Sequence, residues 1–220
     1  MKQQWNVGIL LFEEVDVLDY AGPFEVFSLT VYEDNEVVTL LTKGFANEEK
    51  PFIVKTISQT GEMIPSHNGL KIQPDFSFKS VDRKFDILIV PGGPLRAVKK
   101  VTKNHELLKW ISDFYKSGGM VASVCSGALL LAEAGLLSGK KATTHSFAID
   151  YMRSTYPDTE VVPKVRFVDL GNILTSAGVS AGIDMSLHIV GKLMGEDVAI
   201  RTAATEEYPY DWKSHGVYNN

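Results

Sequence analysis

Met120-Val121-Ala122-Ser123-Val124-Cys125-Ser126-Gly127-Ala128 is the stretch that decides how this chain is read. Its first five residues, Met120–Val124, are small or apolar without interruption, as in a strand covered on both faces. Gly118-Gly119 stand just before it and cap a helical period over His105–Lys116, carried by Leu107, Leu108, Ile111 and Phe114. Directly after it Ser126–Leu137 reads as a second helix. A buried strand flanked by helices is the repeating unit of a mostly parallel sheet.

Working outward, the same alternation recurs. Val7–Phe12, Phe52–Ile57 and Asp86–Val90 are apolar strand-like runs, the last stopped by Pro91-Gly92-Gly93-Pro94. Val37–Leu41 reads as a further strand, and Gly22-Pro23 as the start of a helix through Phe24, Val26, Phe27 and Leu29. Downstream, Val165–Val168 and Ile173–Ser176 form a hairpin through Asp169-Leu170-Gly171-Asn172. Ala181–Leu193 and the shorter Val198–Glu206 complete the helices. No repeat, low-complexity segment or Pro/Ser-rich linker interrupts the pattern. The expectation is a three-layer α/β/α sandwich with a mostly parallel, doubly wound sheet. It forms one domain over residues 1–220, with a core of about 5–195 and a C-terminal helix and tail, 196–220.

Composition narrows the function. The chain has 220 residues, 45% of them hydrophobic, and a net charge of −5 from 22 basic and 27 acidic residues. No basic run exceeds a pair such as Lys99-Lys100 or Lys140-Lys141. Nucleic-acid and anionic-membrane partners are therefore not expected, because both need clustered positive charge. The N-terminus runs into an apolar strand without a cleavage region. The longest charge-free stretch, Ser117 to Ala132, falls short of the ~20 residues a spanning helix needs. With the single cysteine Cys125, these features lead to the expectation of a cytoplasmic protein.

Cys125 sits where the decisive strand becomes a helix. Such a turn lifts its central side chain above the carboxyl edge of the sheet, where open α/β sheets bind ligands. The helix N-terminus that follows favours thiolate, so the thiol is expected to titrate below the ~8.5 of free cysteine. Cys125 reads equally as a nucleophile or as a small buried hydrophobe. Gly92 and Gly93 leave a neighbouring strand and either bring N–H groups to a ligand or simply turn the chain. Proton handlers are sought among Glu13, Glu14, Asp16, Asp19 and His145. Asp19, between Leu18 and Tyr20, is the acid most apt to be buried and so kept neutral. His145 pairs with Cys125 or caps a turn, the second being the plainer reading. His67, His105, His188 and His215 show no ligand spacing, so neither zinc nor another metal is expected. Without a Gly-x-Gly-x-x-Gly or a phosphate-binding lysine loop, no cofactor is expected either.

Six segments together resemble the ThiJ/PfpI superfamily, in order and over nearly the whole chain. They are Leu18-Asp19-Tyr20-Ala21-Gly22-Pro23, Ile89-Val90-Pro91-Gly92-Gly93, Ser123 to Ala128, Ala134 to Gly139, Ala142-Thr143-Thr144-His145, and Ser176 to Asp184. The resemblance implies the flavodoxin-like, class I glutamine amidotransferase-like fold and a homodimer. Within the superfamily the chain is most similar to the isonitrile hydratase-like branch, whose cysteine and aspartate fall on Cys125 and Asp19. That branch commonly has threonine after the cysteine, where this chain has Ser126. The protease-like branch has histidine there, so peptidase chemistry is not implied. Related regulators append a helix-turn-helix domain, for which this chain ends too soon after Asp184. The activity implied is hydration of a small carbon–nitrogen compound by Cys125 and Asp19, with Gly92, Gly93, Ser126 and His145 binding substrate or developing charge. The alternatives are a redox sensor acting through Cys125 and a glyoxalase or deglycase acting on reactive carbonyls.

Overall fold

Runs such as Ile87-Leu88-Ile89-Val90 carry no polar face, so they are stable only where both sides of a sheet are covered. All four of these side chains are at most 1% exposed. The structure is a computed structural model and describes residues 2–79, 84–211 and 216–218. In chain order the first half comprises β1 (Trp5–Leu10), α1 (Val17–Leu29), α2 (Glu36–Lys43), β2 (Phe52–Ser58), β3 (Ile64–Pro65), β4 (Lys71–Ile72), β5 (Phe76–Ser77) and β6 (Ile87–Val90). Then come α3 (Leu95–Val101), α4 (His105–Lys116), β7 (Met120–Ser123), α5 (Ala128–Glu133), β8 (Lys141–Ala142), α6 (Ile149–Thr155) and β9 (Glu160–Val161). β10 (Phe167–Asp169), β11 (Ile173–Ser176), α7 (Ala181–Met194), α8 (Glu196–Thr205) and β12 (Gly216–Tyr218) close the described chain.

Eight strands form one sheet in the order β12-β10-β11-β7-β6-β1-β2-β5. Every pairing is parallel except β10 with β11, where Val168 faces Thr175 across the expected hairpin. Helices on both faces complete a three-layer α/β/α sandwich. Because β1, β6 and β7 are adjacent and parallel, the loops leaving their carboxyl ends lie side by side on one rim.

Three local expectations are corrected. Val37–Leu41 is helical, not a strand. Glu36 and Lys43 suit the two ends of the helix dipole, and Gly44 closes it at φ +74° with its N–H on the Thr39 and Leu40 carbonyls. The helix has no fully buried residue, with Val38 68% exposed, so nothing in the packing rewards the β-branched run as a strand. Secondly, α1 begins at Val17, which leaves Pro23 inside it. Gly22 is there for close packing rather than to start the helix, since a Cβ would come within 2.9 Å of Ile183 on α7. Thirdly, the helix after the cysteine is short. A single 3-10 turn over Cys125–Gly127 leads into the six residues of α5, which end before Gly135 at φ +76°.

Candidate active site

The turn after β7 is drawn tight by its neighbours. Cys125 takes φ +58°, a left-handed conformation that costs a non-glycine residue ~1–2 kcal/mol. Its N–H donates to the Ala177 carbonyl at 3.0 Å, and its own carbonyl accepts the Thr144 hydroxyl at 2.9 Å. Gly127 is obligatory here, because a Cβ would stand 2.2 Å from the Val90 carbonyl oxygen. The side chain that results from this packing is a cysteine only 3% exposed.

Asp19, in the first turn of α1, is fully buried. Its Oδ2 accepts the Gly92 N–H at 3.0 Å, while Oδ1 is buried with no hydrogen-bond partner. Carboxyl oxygens of Asp16 and Asp19 and the Cys125 sulfur all lie within 4.8 Å of one another. Burial, reinforced by the Asp16 charge, raises the Asp19 carboxyl to about 7, with the Gly92 N–H pulling the other way. The thiol is also pushed up, to about 12, first by burial and then by the Asp19 charge. Backbone N–H groups of Ser126 and Val179 hydrogen-bond the sulfur and offset part of this. The expectation of a thiol below ~8.5 is therefore corrected. It gave weight to a helix dipole and left the sign of the Asp19 effect open, whereas burial of the thiol and then the Asp19 charge outweigh the dipole.

The glycines and Ser126 form a clamp. The Ser126 Oγ accepts the Gly93 N–H at 3.0 Å and donates to the Gly93 carbonyl at 2.7 Å. At Gly92 a Cβ would come within 2.5 Å of that Oγ. Both glycine N–H groups thus have protein partners, Asp19 for Gly92 and Ser126 for Gly93. In this structure Gly92 and Gly93 turn the chain and shape the site, the second of the two readings open from the sequence. His145 caps its turn, its Nδ1 accepting the Phe147 N–H at 3.2 Å, and its ring stacks on Phe147 with centroids 5.4 Å apart. That bond puts the proton of the neutral ring on Nε2.

A cavity of about 270 Å³ joins Cys125, Ser126, Gly93 and Asp16 to His145, Phe147 and His67. A larger one, about 660 Å³, lies at the opposite end of the sheet around Trp5, Ile87 and Met120 and contains no residue of this cluster. Residues 6–192 match the model of the DJ-1/PfpI family. This chain belongs to that family. Among the DJ-1/PfpI-type proteins it resembles is an isonitrile hydratase from Pseudomonas putida, 32% identical over 211 residues that span 94% of this chain and 81% of the relative. A glutathione-independent glyoxalase from Caenorhabditis elegans is 28% identical over 169 residues, covering 75% of this chain and 86% of its own. In fold, the chain superimposes on a ThiJ/PfpI family protein from Pseudomonas syringae with a TM-score of 0.77 at 25% identity, over 94% of this chain and 76% of the other.

Within this candidate site, His67 is the residue that sequence reasoning set aside. The excursion carrying β3 and β4 docks on the loop after β1, with the Glu14 N–H on the Pro65 carbonyl and the His67 N–H on the Val15 carbonyl, both at 2.9 Å. No local spacing links His67 to Cys125, so only the fold could place it there. Of the other histidines, His105 opens α4, His188 pairs with Asp169 and His215 lies outside the described residues. Among the described residues no helix is long and apolar enough to cross a membrane.

Proposed function

We propose that this protein hydrates a small carbon–nitrogen multiple bond, converting an isonitrile and water into an N-substituted formamide. The observation that carries the reading is a buried carboxyl, Asp19, held near neutrality in its titration within 4.8 Å of the Cys125 sulfur. Relatedness to an isonitrile hydratase at 32% identity supports it.

The raised thiol fixes the order of proton transfers. At neutral pH the sulfur is protonated and Asp19 is shared between acid and carboxylate. The Asp19 carboxylate accepts the thiol proton and passes it to the isonitrile terminal carbon as the sulfur bonds to that carbon, giving a thioimidate. No net charge is created, which suits a buried site. Water then adds at the same carbon while Asp19 takes one of its protons and returns a proton to nitrogen. Expulsion of sulfur releases the formamide, and the hydroxyl proton returns to the thiol. The Ser126 and Val179 N–H groups, already on the sulfur, stabilise charge as it develops there. His67 and His145 wall the cavity, and the reading includes a homodimer acting on a small molecule.

A panel of isonitriles, methylglyoxal, small amides and hydrogen peroxide tests this with wild type, Cys125→Ala and Asp19→Asn. Formamide is expected from isonitriles with wild type alone. Formamide formation surviving in Cys125→Ala would remove the covalent step. Methylglyoxal as the one substrate turned over would replace hydration by glyoxalase chemistry, and peroxide as the sole reactant would leave a redox sensor.

A further inference from the structure

Val179 is held in a conformation that a β-branched residue avoids, at φ +42°. Such strain persists only where surrounding contacts over-determine it, and the segment 177–180 is fixed from three sides. Ala177 donates its N–H to the Arg166 carbonyl at 2.8 Å and accepts the Cys125 N–H at 3.0 Å. Gly178 lies flat on the His145 ring, since a Cβ would come within 2.4 Å of its Cδ2. Ser180 Oγ accepts the Arg166 guanidinium at 3.2 Å.

The guanidinium is itself anchored. Arg166 pairs with Asp184, a carboxylate in the first turn of α7 whose side chain is 5% exposed. The other oxygen of Asp184 accepts the Tyr208 hydroxyl at 3.1 Å, from beyond α8. Both oxygens of the buried carboxylate are satisfied, so this half-buried ion pair is a fixed point. From that fixed point one bond runs to Ser180, the residue after Val179.

We propose that Arg166, Asp184 and Tyr208 form a brace which, through Ser180, fixes segment 177–180 against the Cys125 turn, where the Cys125 N–H donates to the Ala177 carbonyl. Its members are positioning residues that set the reactivity of the thiol without touching substrate. The proposal rests on Cys125 being the reactive group of the site. Asp16 and Asp19 from the β1–α1 segment, and His67 and His145 across the cavity, also face that group and are left intact by the variants below.

Cys125 is the only cysteine, so iodoacetamide alkylation reports it alone. Rates are measured across pH for wild type, Ser180→Ala, Ser180→Thr and Arg166→Gln, with melting temperature followed in parallel. Loosening the segment that holds the Cys125 turn, an effect about the size of one hydrogen bond, is expected to slow alkylation about tenfold in Ser180→Ala and Arg166→Gln. Ser180→Thr, which keeps the hydroxyl, should restore the wild-type rate. In turnover, kcat should fall in Ser180→Ala with KM unchanged. A Ser180→Ala rate within twofold of wild type, or a Ser180→Thr rate as slow as Ser180→Ala, would overturn the brace. Ser180→Ala leaves the Arg166–Asp184 pair whole, so it decides the matter even if Arg166→Gln does not fold. Because alkylation needs no substrate, an inert isonitrile would defeat the proposed function and leave this result standing.

Discussion

Asp19 and Asp169 are buried alike, 0% and 7% exposed, at opposite rims of the same sheet. Asp169 closes β10, where His188 Nε2 lies 2.8 Å from one oxygen, Lys192 donates to both at 3.0 Å, and the Gly171 N–H adds a bond at 2.7 Å. Burial alone would raise its carboxyl, yet these partners hold it below the usual range. Asp19 has one N–H partner and an orphaned oxygen, so burial wins and the carboxyl rises to about 7. Of two carboxyls with little exposure, one is thus a structural anion and the other a proton carrier on the proposed reading. Asp19 is the more deeply desolvated and has fewer donors, and both push its titration up.

The sharpest way to break this contrast is Asp19→Asn, which keeps an acceptor for Gly92 but cannot move protons. Formamide production should fall ~10²–10⁴-fold. The wild-type kcat/KM should rise with pH through about 7, as Asp19 becomes the carboxylate that accepts the thiol proton, and the variant should lose that rise. Stability should move the other way. With a folded value near 7 against 3.8, the Asp19 contribution is fully present below pH 4 and lost as pH climbs through 7. At pH 8 the wild type carries a penalty on the order of 4 kcal/mol, so denaturant titration should find Asp19→Asn more stable there, with the gain gone near pH 4. The smallest effect belongs to Asp169→Asn. It should cost ~2–3 kcal/mol at pH 7 by leaving Lys192 and His188 without their anion, with turnover unchanged. Asp169 stabilises above the unfolded carboxylate range, and that benefit is lost as pH falls through its lowered folded value. Its variant should therefore converge on wild type in acid.

The central strands were legible because burial on both faces leaves Val7–Phe12 and Ile87–Val90 without a polar side chain, and Met120–Val124 with only the small hydroxyl of Ser123. The helix at α2 was not, since Val37-Val38-Thr39-Leu40-Leu41 has the residue types of a strand and only its charged and glycine ends favour a helix. At the site, Cys125 and Asp19 were readable from their places after strands. The direction of the Cys125 titration was not, because it depends first on how deeply the fold buries the thiol and then on its distance from Asp19, far away along the chain. The same limit hid His67, Val179 and the Arg166–Asp184 pair. Each acts through backbone, ring or charge contacts made across the fold, and none has a local spacing that announces it.

The left-handed turn at Cys125 has a consequence for descent. Backbone strain alone would be relieved by glycine at that position, by ~1 kcal/mol or more. On the proposed reading the thiol is kept there for its chemistry, against that strain. In a duplicate copy released from selection for turnover, position 125 is where drift should be fastest and most directional, toward glycine. A glycine at this turn in a descendant would then be the fossil of a lost reaction.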